Sequence, residues 1–348
     1  MYTLPKSLTS DFYIFNSKEP YKKKKDLDFS SVVSVIKNLM DCCVELDAVP
    51  SIAFTGGDPL LRGDFFLILD AVNREARRSH FNKVNIDVMG NPFHLNAESA
   101  RKLREEGVGR YQISIDGLRE KHDVIRMKGS FDKSLASIKV LKNAGIKVHV
   151  MFTLSRLNVN DFPAVVKLLV DYEVDAFSFA RLVRPELMSI DDYKRNSFSP
   201  LEYKNFLRKT YNLYRELTNK GYKTTFPLKD HLWKLFLYEQ KIFSPDIDSG
   251  EKVIYGGCGL GIANFSILSD GTVYACRRFP SFIGRVPEER LIDIFIKSPK
   301  LNHYRQVENF VKCKKCELLN YCRGCGAVAY GYSGSFFDPD PQCWKTID

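Results

Sequence analysis

Short apolar runs alternate along this chain with longer segments whose apolar residues return at helical spacing. Ser51-Ile52-Ala53-Phe54 reads as a short buried strand ending in Gly56-Gly57, and Phe65, Leu67, Leu69, Ala71 and Val72 then mark a helix over 65–76. The unit repeats: a strand over 84–88 and a helix over 97–106 capped by Asn96; a strand over 111–115 and a helix over 131–144 closed by Gly145; strands over 147–152 and 176–181 around a helix over 162–172. With a strand before Ser10 and a helix over 32–46, this makes roughly six strand-helix units. Alternation of this kind predicts a parallel sheet, and right-handed crossovers curl it into a partial (β/α)6 TIM-type barrel with functional groups on the loops after the strand ends.

Ser199-Pro200-Leu201-Glu202 is a capping box with proline at the first helical position, opening a long helix toward Lys220 that ends the barrel region. From about Asp246 the character changes to glycine-rich turns, short strand-like runs such as 264–268, and seven of the nine cysteines. The expected organisation is therefore α/β, with a barrel domain over 1–245 and a small cysteine-rich domain over 246–348.

Composition narrows the function. A chain of 348 residues with 44% hydrophobic and 27% charged residues suits about two globular domains. The best apolar run, 164–170, carries Lys167 and falls far short of the roughly 18 residues of a membrane span, so no membrane partner is expected. Met1-Tyr2-Thr3-Leu4-Pro5-Lys6 lacks the basic-then-apolar order of a secretory signal, and a cytoplasmic location is expected. The net charge of +10 and the Lys22-Lys23-Lys24-Lys25 run invite a nucleic-acid reading, but the remaining basic residues are mixed with 42 acidic ones. A solvated face fits better, and an acidic partner steered by this charge is preferred to nucleic acid.

The cysteines are the main chemical clue, because in a reducing compartment they point to metal or redox chemistry and an odd number cannot pair off within one chain. Cys42 and Cys43 are adjacent on a helix, about 100° apart, and read as small buried apolar residues. The others are Cys258, Cys276, the run Cys313-x2-Cys316-x5-Cys322-x2-Cys325, and Cys343. Zinc on the central four would leave Cys258, Cys276 and Cys343 without a role, and zinc ribbons usually separate their pairs by more than five residues. Iron-sulfur clusters account for all seven thiols; two four-iron clusters want about eight ligands, so one iron keeps an open or non-cysteine position.

The chain resembles the radical S-adenosylmethionine superfamily, in the branch with a C-terminal SPASM domain, from about Leu8 to Trp344. The matching segments are Phe54-Thr55-Gly56-Gly57-Asp58-Pro59-Leu60-Leu61-Arg62, Gln112-Ile113-Ser114-Ile115-Asp116-Gly117, His122-Asp123 with Ile125-Arg126, Gly129-Ser130-Phe131-Asp132, and the seven-cysteine pattern ending at Asp338-Pro339-Asp340-Pro341-Gln342-Cys343. The resemblance implies that Gly56, Gly57, Asp58 and Pro59 line the site for the methionyl amino group of S-adenosylmethionine, with Ser114 and Asp116 as further cofactor contacts. It also implies that Cys258, Cys276 and Cys325 hold one auxiliary [4Fe-4S] cluster, and Cys313, Cys316, Cys322 and Cys343 the other.

The chain departs from the family in three places. Between the last two cysteines of the central run stand only Arg323 and Gly324, where three residues are common. The family's C-x3-C-x2-C motif should fall in 8–17, yet no cysteine is there, and its ligand positions become Ser10, Ile14 and Ser17. Isoleucine cannot bind iron and neutral serines are poor replacements for thiolates, so the cluster that cleaves S-adenosylmethionine is not expected to assemble, and affinity for that cofactor should fall. In sulfatase-maturing relatives an aspartate follows the position of Cys276; here Arg277 and Arg278 do.

The expectation is an iron-sulfur protein that serves in peptide, protein or cofactor maturation as a substrate-docking or electron-relay partner of an active radical or redox enzyme, with no catalytic residue assigned. Two alternatives stand beside it. One is an active maturase or oxidoreductase that uses the auxiliary clusters or a cluster completed by a partner. The other is a zinc-stabilised binding protein.

Overall fold

The computed structural model describes residues 25–185, 187–245 and 254–347. The first half runs α1 (Phe29–Glu45), β1 (Ser51–Phe54), α2 (Phe65–Arg78), β2 (Asn85–Met89), α3 (Ala97–Glu105), β3 (Val108–Ser114), α4 (Arg119–Ile125), α5 (Ser130–Asn143), β4 (Lys147–Leu154), α6 (Phe162–Asp171) and β5 (Ala176–Arg181). The five strands pair in parallel in chain order. An isolated parallel bridge from Ala176 to Thr225 extends the sheet past β5. The strand expected before Ser10 lies outside the described residues.

Local signals explain most boundaries. Helix α1 begins three residues earlier than its apolar pattern predicts because Asp28 caps it, accepting from the Ser31 N–H at 2.8 Å. Asn96 and Ser99 form a reciprocal capping box at α3. Strand β3 also starts early: buried Val108 is followed by exposed Gly109 and Arg110, which breaks the alternation that would have marked it. Helix α4, seven residues and mostly charged, is too short to show a period.

Because side chains alternate across a strand, Tyr111, Ile113, Val148, Val150 and Phe152 are fully buried against the helices. Asp87, Arg110, Gln112, Ser114, His149 and Ser178 take the opposite, concave face.

The second half contains α7 (Ile190–Asn196), α8 (Pro200–Asn219), α9 (Trp233–Glu239), the antiparallel strands β6 (Ser266–Ile267), β7 (Thr272–Tyr274) and β8 (Phe282–Arg285), and α10 (Leu291–Lys297), α11 (Pro299–Arg305) and α12 (Gly326–Ser333). The capping box of Ser199 and Glu202 opens α8 as expected. Val273, Phe279, Ile283, Leu291 and Phe336 form a second core that also takes in Cys42 and Val183 from the first half. Asn38 of α1 bridges to α10, donating to the Glu289 carbonyl and accepting from the Leu291 N–H, both at 2.8 Å. Among the described residues no helix is long and apolar enough to cross a membrane. The expected boundary at 245/246 falls beside 246–253, outside the described residues.

Candidate functional site

The sequence motifs collect at the C-terminal ends of the parallel strands. Gly56 and Gly57 follow β1 and are exposed, and Gly56 adopts φ +143°, a backbone that favours glycine. Asp58 caps the short turn Pro59–Leu61, accepting from the Leu60 N–H at 3.3 Å, and its second oxygen is 2.7 Å from Nδ1 of His94. The Asp58 side chain is 1% exposed; burial pushes its pKa up while the His94 contact pulls it down. Asp58 is thus engaged in holding the turn to the loop after β2, and the groups the turn presents outward are the backbone of Gly56 and Gly57.

Gly90 permits this packing, since a Cβ there would meet the Tyr111 hydroxyl at 2.0 Å and Asp58 Oδ1 at 3.1 Å. Neither Gly90 nor His94 stands out in the sequence, because a single glycine and a single histidine carry no pattern.

Ser114 sits half-buried at the end of β3 on the concave face. Asp116 is fully buried and accepts from the Thr153 N–H at 2.6 Å and from Nε of Arg126 at 2.6 Å, while its own N–H donates to Nδ1 of His122 at 3.1 Å. It fastens β3 and β4 to α4, with one hydrogen bond to each carboxylate oxygen. Desolvation, then Arg126, holds His122 neutral with a pKa down to about 4. As its folded pKa lies below the ordinary value of about 6.5, protons bind preferentially to the unfolded chain. Stability from this site should be complete above pH ~6.5 and fall as the pH drops toward about 4. A urea midpoint measured across that window should decline less steeply in His122→Gln than in the parent protein.

In the tail the thiols fall into two groups. Burial, then Cys325 and Cys276, pushes the Cys258 thiol up to about 12, and Cys276 is raised by burial with Cys325 adding to it. Burial, then Cys343 and Cys316, pushes Cys313 up to about 12; Cys322, also near 12, feels Cys343 and Cys313 after its burial. Cys313, Cys316, Cys322 and Cys343 line one pocket together with Leu235, Leu318 and Asp340. All nine cysteines are free of disulfides, and Cys42 and Cys43 are buried in α1.

The groups of three and four meet at Cys322-Arg323-Gly324-Cys325, where neighbours in sequence face different groups. Gly324 at φ +63° makes that turn, and a Cβ on it would lie 2.5 Å from the Cβ of Asp340. Cations border both groups. Arg278 Nη1 donates toward Cys325 Sγ at 3.6 Å, and Lys312 Nζ toward Cys343 Sγ at 3.5 Å.

A buried ion network joins the barrel to the tail. Arg181, at the end of β5, donates to Asp230 at 2.8 Å, to both oxygens of Asp340 at 2.7 Å and to Gln342 at 2.6 Å, with the Tyr203 ring 4.9 Å away. Desolvation opposes its charge, but Asp230 and Asp340 outweigh it and hold the guanidinium protonated. Asp340 also accepts from the Cys325 N–H at 2.8 Å. Asp340 belongs to a quoted motif, whereas Arg181 ends a strand pattern and Asp230 stands in an unpatterned loop.

Residues 15–169 match the family described as the Radical SAM superfamily, and residues 258–326 match SPASM, an iron-sulfur cluster-binding domain; together they span more than half of the chain. The chain belongs to the SPASM-bearing branch of the radical SAM superfamily. It is similar to the AdoMet-dependent heme synthase of Methanosarcina barkeri (strain Fusaro / DSM 804), 28% identical over 301 residues that cover 84% of this chain and 82% of that protein. It is also similar to the Fe-coproporphyrin III synthase of the same organism, 28% identical over 352 residues covering 94% of this chain and 84% of the relative. The solved structure of native anSMEcpe with bound AdoMet and Kp18Cys peptide shares the fold, with TM-score 0.73 and 19% identity, covering 97% of this chain and 90% of that one.

Proposed function

We propose that this chain is an iron-sulfur protein that holds two auxiliary [4Fe-4S] clusters in a domain beginning near residue 246, and that it serves in cofactor, peptide or protein maturation by docking a substrate or relaying electrons. It lacks the S-adenosylmethionine-cleaving cluster of its family. The observation that carries this reading is the distribution of sulfur: thiols grouped three and four in the tail, and no cysteine from Leu8 to Ser17. Ser10, Ile14 and Ser17 lie outside the described residues.

The donor set suits clusters. Zinc on Cys313, Cys316, Cys322 and Cys325 would draw its ligands from both groups, since Cys325 acts on Cys258 and Cys276 while the other three line a pocket with Cys343. Thiols spread around a pocket favour the cluster reading over zinc. Bound clusters would supply one-electron redox centres. Cys258, Cys276 and Cys325 would hold one and leave a corner to a non-cysteine ligand, while Cys313, Cys316, Cys322 and Cys343 would hold the other. The Arg278 and Lys312 donors stabilise negative charge on ligand sulfur, and such contacts raise a reduction potential. The names of the curated relatives favour a cofactor over a peptide.

A second reading, in which the chain acts on S-adenosylmethionine with a cluster completed by a partner, draws on the relative named AdoMet-dependent heme synthase. The proposal is tested in an anaerobic assay of the reconstituted chain alone with S-adenosylmethionine and dithionite. No 5′-deoxyadenosine should form above the protein-free control, and turnover would overturn the proposal.

A further inference from the structure

Among the described residues two arginines are buried, and they differ in what balances their charge. Arg181 is paired with Asp230 and Asp340. Arg323, 5% exposed, has no carboxylate partner among the described residues. Its Nη1 donates to the Leu319 carbonyl at 2.8 Å, and its Nη2 to the carbonyls of Gly256 at 3.0 Å and Cys258 at 3.3 Å. Three neutral acceptors satisfy its hydrogen bonds and leave the charge standing. Asp340, the buried acid beside this turn, cannot serve, because Arg181 takes both of its oxygens and the Cys325 N–H shares one of them.

The place of this cation in the chain gives it a use. Arg323 stands between Cys322 and Cys325, on the two-residue link where the four-thiol group passes to the three-thiol group. Nη1 reaches back into the loop between Cys316 and Cys322, and Nη2 reaches across to the backbone of Cys258. The second reach needs a glycine. Gly257 has φ +86°, and a Cβ there would lie 3.3 Å from Nη2 and 3.2 Å from the Tyr321 carbonyl oxygen. One guanidinium thus ties together the loops that carry thiols of both groups.

A buried cation is unfavourable unless negative charge lies close to it. A four-iron core held by thiolates carries net negative charge, and one-electron reduction adds to it. We propose that Arg323 is a shared counter-charge for the two clusters and raises the reduction potential of both. Arg278 and Lys312 each border the thiols of one group from a half-buried position. Arg323 is enclosed beside both groups, where solvent screens its field least. The inference rests on the cluster reading above and adds what sets the potentials of a relay.

Its test is a redox titration followed by electron paramagnetic resonance, run on the reconstituted parent chain, Arg323→Gln and Arg323→Lys. Glutamine keeps a donor for the carbonyls and drops the charge, whereas lysine keeps the charge and drops the forked hydrogen bonds. Arg323→Gln should lower both midpoint potentials, cutting the reduced-to-oxidised ratio at a fixed potential about tenfold, which is about 59 mV for a one-electron couple. Arg323→Lys should recover most of that shift. Repeating the titrations in Cys316→Ala and Cys258→Ala, each of which should keep one cluster, assigns each potential to its group.

Unchanged potentials in Arg323→Gln, or an equal fall in Arg323→Lys, would overturn the counter-charge. A fall confined to one cluster would overturn its being shared. If Arg323→Gln holds no cluster, Arg323→Lys decides: clusters retained there support the role of charge, and clusters lost from both variants overturn it. A parent chain that takes up no cluster would overturn the cluster reading and this role with it, whereas a loaded parent and unmoved potentials count against Arg323 alone.

Discussion

Arg181→Met should destabilise the chain by about 3–5 kcal/mol, because it leaves Asp230 and Asp340 buried without the cation that balances them. The guanidinium is matched at every edge: Nε to Asp230, Nη1 and Nη2 to Asp340, Nη1 again to Gln342. Lysine cannot reproduce that fork, so Arg181→Lys should recover only part of the loss. The effect should extend beyond stability, since Asp340 positions the Cys325 N–H and borders the pocket of the four-thiol group. Urea denaturation followed by circular dichroism, with bound iron measured in parallel, should show both changes. The exposed pair of Lys220 and Glu216 offers the contrast, where Lys220→Gln should shift the midpoint hardly at all.

Substituting a thiol should remove one cluster and spare the other. Cys258→Ala, Cys276→Ala and Cys325→Ala should each leave the cluster of the four-thiol group. Cys316→Ala, Cys322→Ala and Cys343→Ala should each leave the cluster of the three-thiol group. The decisive comparison is between Cys322 and Cys325, two residues apart on either side of Arg323-Gly324. If they serve different clusters, Cys258→Ala combined with Cys325→Ala loses no more iron than either alone, while Cys322→Ala combined with Cys325→Ala loses nearly all of it. Electron paramagnetic resonance of the reduced variants should show which signal has gone. Identical spectra for Cys322→Ala and Cys325→Ala would contradict the grouping of three and four.

The parallel sheet was legible because each strand is a short apolar run beside a helix with its own period, and caps such as Asn96 and Ser199 are local chemistry. Helices α4, α7, α9, α10, α11 and α12 were missed, since seven or eight residues make only about two turns and show no stripe. The seven-cysteine pattern was legible through its spacing, and its division into three and four is what the resemblance implies. What could not be read were interactions set by topology. Arg181 lies 159 residues from Asp340, and Arg323 lies 65 from Cys258. A lone arginine in a chain with 52 basic residues gives no sign that it is enclosed by acids or buried without one. Asp58 and Asp116 show the converse, acids singled out by motif that the structure employs in fastening loops.

The account stands on sulfur being present in the tail and missing at the barrel mouth. Iron and acid-labile sulfide per chain after anaerobic reconstitution test it most directly. Two four-iron clusters predict about eight of each. A value near twelve would place a third cluster at the mouth, and a value near zero would leave the tail thiols without the role assigned to them; either would contradict it.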